Sequence, residues 1–102
     1  MLEYRIRQGI NTFEKSPVIF LIHGYGSHAD DLFSFAPYLP KSHTIIALQA
    51  PLNLSPGGYA WYPLYPKEDG TFTSELEAAW SAVDLLNENI NFLIKKYDLN
   101  SN

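Results

Sequence analysis

The chain has 102 residues, which fits one small domain or part of a larger one. Its 46% hydrophobic and 18% charged residues are typical of a globular protein. A net charge of −4, with only seven Lys and Arg, argues against nucleic-acid binding, which needs a basic face to meet phosphates. The absence of cysteine excludes disulfides, thiolate metal sites and cysteine nucleophiles.

The N-terminus and the apolar runs bear on location. Residues Met1 to Arg5 lack the basic and apolar regions of a signal peptide. The longest aliphatic and aromatic run, Val18 to Ile22, is far too short to span a membrane. Together with the lack of cysteine, this predicts a cytoplasmic protein without a membrane span.

Two strands are predicted near the start of the chain. Leu2, Tyr4 and Ile6 alternate with polar residues, which indicates a half-exposed strand. Residues 9–16 read as a turn. Val18 to Ile22 is continuously apolar and rich in β-branched residues, which predicts a strand covered on both faces, as in a parallel sheet.

The next elements complete a βαβ unit. Residues 23–26 read His-Gly-Tyr-Gly, and two glycines this close together indicate a tight turn or a close backbone approach. A helix is predicted over about 29–39, with Ser27 and Asp30 as a capping box. A second buried strand over 43–48 follows, joined by a right-handed crossover.

The second half of the chain contains a long loop and a long helix. Residues 49–72 hold four of the seven prolines and five aromatic rings, and a loop of this length is often functional. Residues 73–97 read as an amphipathic helix with a capping box of Ser74 and Glu77, followed by an exit loop over 98–102. Its predicted apolar stripe contains Leu76, Ala79, Trp80, Val83, Leu86, Ile90, Leu93, Ile94 and Tyr97.

The turn at residues 23–26 carries the most chemical information. A buried strand runs into it and a helix follows, so its backbone N–H groups are candidates to face an anion. In α/β-hydrolases, one oxyanion-hole donor comes from a His-Gly-containing loop after the third strand. Glycines let the backbone approach the developing oxyanion closely. The alternative is an ordinary strand-to-helix turn.

The same segment also permits a nucleotide-binding interpretation. Gly24, Gly26 and Ala29 match the spacing of the dinucleotide fingerprint G-x-G-x-x-G/A. That fold needs an acidic residue at the end of the next strand to hold the ribose, and this strand ends at Leu48-Gln49. Nucleotide binding is therefore the less favoured hypothesis.

Several motifs in this order resemble the phospholipase/carboxylesterase group of α/β-hydrolases, which includes the acyl-protein thioesterases. They are the strand and turn at 20–27, the acidic pair Asp30-Asp31, then Ala50-Pro51 and Trp61-Tyr62. The resemblance covers about residues 17–97. It implies a partial α/β-hydrolase fold in one domain over 1–102, with a mostly parallel sheet and flanking helices, truncated before the nucleophile strand.

The resemblance also implies roles for individual residues. Tyr25 would offer its backbone N–H as an oxyanion donor, and His23 would brace the loop rather than act as the catalytic base. Trp61 and its neighbours would line the acyl or leaving-group side of a pocket, although covering the core is an equally good role for Trp61. The implied substrates are small acyl esters or thioesters, without a metal or organic cofactor. The candidate site residues are Tyr25, His23, Gly24, Gly26, Trp61, Tyr59 and Tyr62.

The chain departs from this family in the catalytic residues. The family's nucleophile lies in G-x-S-x-G, after the long helix and one more strand. No serine here has that pattern, since Tyr25 and Ala29 stand where Ser27 would need glycines. We therefore expect the 102 residues alone to be inactive. The alternative function is a non-catalytic binding or assembly module on a hydrolase scaffold.

The remaining candidates have structural interpretations. His28 and His43, together with His23, lack the spacing of metal ligands, so no metal site is predicted. Asp31 suits the start of a helix, and Trp80 lies on the apolar stripe, which favours packing in the core.

The resemblance also bears on partners. In a full hydrolase fold, the strand that carries the nucleophile would pair with residues 18–22. Without it, this apolar strand becomes an open sheet edge, which predicts self-association or a complementing chain.

Overall fold

A computed structural model describes residues 1–10, 15–54 and 57–100 of the chain. It contains, in order, β1 (Tyr4–Arg7), β2 (Val18–Ile22), α1 (Ala29–Phe33), a single 3₁₀ turn (Ala36–Tyr38) and β3 (Thr44–Leu48). β4 (Leu52–Leu54), β5 (Gly58–Ala60), β6 (Tyr65–Pro66), β7 (Phe72–Thr73) and α2 (Leu76–Lys96) follow. The turn predicted over 9–16 lies partly outside the described residues.

The main sheet has three strands in the order β1-β3-β2. β2 and β3 are parallel, with Val18 opposite Thr44 and Ile22 opposite Leu48, so their carboxyl ends meet at one edge. β1 is antiparallel to β3. The sheet is therefore mixed, with the predicted βαβ unit at one side.

β3 is the central strand, and all five of its residues are buried. Ile46 and Leu48 form a core cluster with Leu93 of α2 and with Leu99. Since successive strand residues point to opposite faces, Ile45 and Ala47 face the other side, and α1 packs against this sheet. The two faces of β3 are thus covered by different parts of the chain.

β2 is less buried than its sequence predicts. Four of its residues are half-buried, and Ile22 is 40% exposed. The reason is position, because β2 is an edge strand that pairs with β3 on one side only. On its other side, the described residues place one parallel bridge, between Pro17 and Asn100, with the Asn100 N–H donating to the Ser16 carbonyl at 2.9 Å.

α1 is shorter than the predicted helix over 29–39, and its predicted cap is wrong. The helix ends at Phe33, and a separate 3₁₀ turn contains Pro37, which lacks an N–H and disfavours helical backbone at the residue before it. His28, not Ser27, is the N-cap, and its Nδ1 accepts from the Asp31 N–H at 3.2 Å.

The segment predicted as one long loop over 49–72 contains two short antiparallel hairpins, β4–β5 and β6–β7. Strands of two or three residues are too short to give a recognisable alternating pattern. The first hairpin follows β3 directly and returns to the end of β2, where it contacts the turn at 23–27. Ser55 and Pro56 lie outside the described residues.

α2 begins at Leu76, three residues later than predicted, and its N-cap Glu75 makes no side-chain capping bond, so the Ser74–Glu77 capping box is wrong. The C-terminal part of the predicted stripe packs on the core cluster through Leu86, Ile90, Ile94 and Tyr97. The N-terminal part does not: Leu76 is 73%, Trp80 61% and Val83 42% exposed. The prediction that Trp80 packs in the core is therefore wrong for this chain.

After α2, the chain turns back through Asp98, which has a left-handed backbone with φ of 52°. The buried Leu99 then packs into the core cluster. Among the described residues, no helix is both long and apolar enough to cross a membrane.

Candidate active site: the loop after β2

The segment His23 to Ser27, called the β2 loop below, connects β2 to α1. It starts inside the protein and reaches the surface within two residues, since His23 is 2% exposed and Tyr25 is 53% exposed. Gly26 has φ of 83°, a conformation that side chains rarely adopt. The Ser27 N–H closes the turn on the Gly24 carbonyl at 3.2 Å.

The His23 imidazole is fully hydrogen-bonded inside the protein. Its Nε2 lies 3.0 Å from the Ala50 N–H, which makes Nε2 an acceptor. Its Nδ1 lies 2.8 Å from the Gly24 carbonyl, which can only accept. Both contacts are satisfied by the neutral tautomer with its proton on Nδ1. His23 therefore connects the loop to the residue two positions after β3.

Trp61 contacts both the side chain and the backbone of His23. The two rings stack with centroids 5.3 Å apart and an interplanar angle of 29°. The indole Nε1–H donates to the His23 carbonyl at 2.8 Å. Trp61 also packs against the core cluster, so it covers the core and borders the loop at once.

The β4–β5 hairpin holds the outer part of the β2 loop. The Gly26 N–H donates to the Tyr59 carbonyl at 2.9 Å, and the Tyr59 N–H donates to the Ser27 carbonyl at 2.8 Å. Gly58 lies so close to Gly26 that a Cβ at position 58 would overlap the Gly26 carbonyl. Glycine at this position permits the close approach of the two backbones.

The N–H groups of Gly26 and Ser27 are both bonded to backbone carbonyls. The N–H groups of Gly24 and Tyr25 have no hydrogen-bond acceptor within the part of the chain that is described. A donor left free at a turn is available to a ligand.

A cavity of about 200 Å³ is lined by Gly24, Tyr25, Trp61, Tyr62 and Leu64. The lining is mainly aromatic and aliphatic, as in sites for small organic ligands. Tyr59, a predicted lining residue, instead borders a second cavity of about 230 Å³ with Met1, Leu2, Glu3, Gln49, Ala50 and Pro51.

Ser27, His28 and Asp31 are close together, but they are not arranged for nucleophilic catalysis. The Ser27 hydroxyl donates to an Asp31 carboxylate oxygen at 2.6 Å, and His28 Nε2 lies 3.8 Å from the other oxygen. A serine nucleophile needs the histidine nitrogen, not the carboxylate, to take its proton. The cluster instead belongs to the start of α1.

The remaining acidic and histidine candidates, Asp30 and His43, contact other side chains outside the β2 loop. Asp30 forms an exposed ion pair with Arg5 at 2.9 Å, and His43 Nδ1 lies 3.0 Å from the Ser42 hydroxyl. Over residues 1–10, 15–54 and 57–100, no three His, Asp or Glu side chains come together as a group that could hold a metal ion.

Sequence patterns did not reveal three contributors to this site. Ala50 acts through its backbone N–H, Gly58 through the lack of a side chain, and Gln49 through its Oε1, which accepts from the Ala29 N–H at 2.7 Å. The glycine pair at 57–58 was the one available signal, since a glycine in a strand often marks a close backbone approach.

Solved structures resemble the whole chain. The crystal structure of esterase PE8 matches 97% of this chain with a TM-score of 0.78 and 25% identity, and the match covers 47% of PE8. The structure of YahD with malic acid matches 98% of this chain with a TM-score of 0.71 and 23% identity, again over 47% of YahD. No protein-family model and no curated protein matches the chain.

The chain thus spans about half the length of the structures that it matches. The second match, at 23% identity, supports the fold alone. The fold class predicted from the sequence is confirmed: the chain has the partial α/β fold of the N-terminal half of an α/β-hydrolase.

Proposed function

We propose that the chain is the oxyanion-loop half of a serine hydrolase that cleaves small carboxylic esters or thioesters. The observation that carries the proposal is the free N–H of Tyr25, a residue that lines a cavity of about 200 Å³. A preorganised donor of this kind stabilises the negative charge that develops on the carbonyl oxygen during acyl transfer. The esterase PE8, which shares this fold, makes ester chemistry the natural first test.

The roles of the nearby residues follow from their contacts. The Tyr25 N–H would bind the oxyanion, while His23, with both ring nitrogens already bonded, would brace the loop and take no proton. Gly24 and Gly26 would allow the backbone to approach the substrate. Trp61 and Tyr62 would contact its acyl or leaving group. The nucleophilic serine and its base would come from outside these 102 residues.

Two further proposals concern partners and location. The open edge of β2 would be covered by a complementing polypeptide or, failing that, by a second copy of the chain. We propose a cytoplasmic location, which the absence of cysteine in these residues favours.

The test replaces the Tyr25 amide by an ester linkage, which deletes one N–H and keeps the side chain. The protein should first be assayed on short acyl esters and thioesters, and labelled with a fluorophosphonate. Loss of one oxyanion donor should lower kcat about 10²- to 10³-fold. Tyr25→Phe, which keeps the N–H, is the matched control and should retain activity.

The outcomes separate the hypotheses. Absence of both hydrolysis and labelling in the whole protein would reject the enzyme and favour a non-catalytic binding module. Hydrolysis that is unchanged by the ester linkage would keep the enzyme but remove Tyr25 from the oxyanion hole.

A further inference from the structure

The Tyr25 N–H belongs to a peptide unit whose carbonyl is fixed by hydrogen bonds. In a planar trans peptide, the carbonyl of one residue and the N–H of the next point in opposite directions. The Gly24 carbonyl and the Tyr25 N–H form such a unit. Since the Gly24 carbonyl accepts from His23 Nδ1 at 2.8 Å and from the Ser27 N–H at 3.2 Å, the direction of the Tyr25 N–H is set by these bonds.

The preceding peptide unit is held by a different residue. It consists of the His23 carbonyl and the Gly24 N–H, and the carbonyl accepts from the Trp61 indole at 2.8 Å. The same indole stacks on the His23 ring, 5.3 Å between centroids, which fixes the imidazole that in turn holds the Gly24 carbonyl. Trp61 therefore acts on two consecutive peptide units of the β2 loop.

Little else packs against the loop at Gly24 and Tyr25. A Cβ added at Gly24 would meet nothing within 4 Å, and the Tyr25 side chain is 53% exposed. Ile22, at the end of the edge strand, is 40% exposed. The orientation of the loop thus depends on hydrogen bonds and on the stacked pair rather than on surrounding side chains.

We propose that Trp61 is a positioning residue, which aims the Tyr25 N–H through the His23 carbonyl and the His23 ring. This role goes beyond lining the cavity, and its catalytic consequence rests on the proposed function. A pocket wall affects how tightly substrate binds, whereas a residue that positions the oxyanion donor affects the transition state.

The decisive substitution removes the indole N–H and keeps an aromatic ring. Trp61→Phe does this, and β-(3-benzothienyl)alanine at position 61 does it with the bicyclic shape retained, which covers the case in which the phenylalanine variant folds poorly. Trp80→Phe is the matched control, because Trp80 is 61% exposed on α2 and is placed in no part of the site.

Two readouts are measured on the whole protein. The first is kcat and KM on a short acyl ester: loss of one positioning hydrogen bond should lower kcat about 2- to 12-fold with KM unchanged. The second is amide hydrogen exchange at Ala50 and Gly26, whose N–H groups bond to His23 Nε2 and to the Tyr59 carbonyl. Exchange at both should accelerate by a similar factor without global unfolding, and Trp80→Phe should change neither readout.

A rise in KM alone, with unchanged exchange, would overturn the proposal and leave Trp61 as a pocket wall. If the wild-type protein hydrolyses no ester, the proposed function fails, and exchange alone then decides whether Trp61 holds the loop. Unchanged exchange in both position-61 variants would reject the positioning role in either case.

Discussion

Gly58 lies directly against the carbonyl of Gly26, and this contact joins the β4–β5 hairpin to the β2 loop. Two backbone hydrogen bonds lie next to this contact: the Tyr59 carbonyl accepts from the Gly26 N–H, and the Tyr59 N–H donates to the Ser27 carbonyl. The hairpin thereby supports the loop from outside, while His23 supports it from inside through the Ala50 N–H.

Gly58→Ala should destabilise the protein, because a Cβ at this position would overlap backbone atoms of Gly26 that cannot rotate away. Forcing extra atoms into such a site costs about 1–3 kcal/mol of unfolding free energy. Chemical denaturation measures this loss. Gly24→Ala is the control, since its Cβ would meet nothing within 4 Å, and equal stability of the two variants would contradict the prediction.

Leu93→Ala should cost far more stability than Leu76→Ala, although both leucines lie on α2. Leu93 is fully buried in the core cluster and Leu76 is 73% exposed. The first change leaves a cavity and should lower the unfolding free energy by about 2–5 kcal/mol, and the second should stay within about 0.5 kcal/mol. Similar losses, measured by denaturation, would mean that Leu76 is covered in solution.

Arg7→Lys should destabilise the connection between α1 and β3. The Arg7 guanidinium donates to the carbonyls of Ala36, Pro40 and His43 at 2.5, 2.6 and 3.0 Å. A lysine ammonium lacks the planar fork that reaches three acceptors, so we expect a loss of about 1–3 kcal/mol. Arg5→Lys, at an exposed ion pair, should cost less than about 1 kcal/mol in the same denaturation experiment.

Tyr97→Phe should raise the pKa of Tyr4. The two hydroxyls lie 2.7 Å apart. This hydrogen bond, helped by the Lys96 ammonium, lowers the pKa of Tyr4. The same bond raises the pKa of Tyr97, because Tyr97 must keep its proton to donate to an ionised Tyr4. The phenolate absorbance change of Tyr4 should therefore move to higher pH in the variant, whereas Tyr38→Phe should leave the Tyr4 titration where it is.

The sign of the linked stability follows from these directions. A lowered pKa of Tyr4 contributes stability above its unfolded value of about 10, and this contribution is lost as pH falls through the lowered folded value. The raised pKa of Tyr97 acts in the opposite sense: its contribution is present below its unfolded value and is lost as pH rises through the folded one.

The 102-residue chain should associate as its concentration rises. The open edge of β2 carries no charge, and Leu76, Trp80 and Val83 expose one apolar stripe on α2. Sedimentation should show a mean mass that increases with concentration, and Trp80→Glu should reduce the increase. Ile10→Glu adds the same charge away from the stripe and should have less effect. A constant monomer mass would contradict the prediction.

The fold could be predicted from the sequence for strands that have a neighbouring strand on both sides. β3 was predicted correctly because four consecutive apolar residues, Ile45 to Leu48, require cover on both faces, which a central strand has. β2 has the same kind of sequence but lies at the edge, and the composition of one strand does not reveal how many neighbours it pairs with. In the same way, helical spacing placed Trp80 on the apolar face of α2 but did not show that this end of the helix is uncovered.

The candidate site was predictable only in part. The His-Gly-Tyr-Gly spacing indicated the turn and the residues His23 and Tyr25. The contacts that hold the turn come from the β4–β5 hairpin and the residues on either side of it, through the backbone of Ala50 and Tyr59 and through the Trp61 indole. Backbone partners leave no side-chain pattern in a sequence, and Trp61 could be assigned to either core or cavity until its contacts showed that it serves both.

The strand order β1-β3-β2 also constrains how the chain acquires its structure. β1 leaves the ribosome before β2, yet its partner in the sheet is β3, which is synthesised only after β2 and α1. The pairing of β1 with β3 is slow, because the long segment between them must close into a loop before the two strands make any contact. The βαβ unit of β2, α1 and β3 is therefore expected to form early, and β1 should add to its free side later. During synthesis, β1 would remain unpaired until β3 emerges, so β1 is most prone to mispairing in that interval.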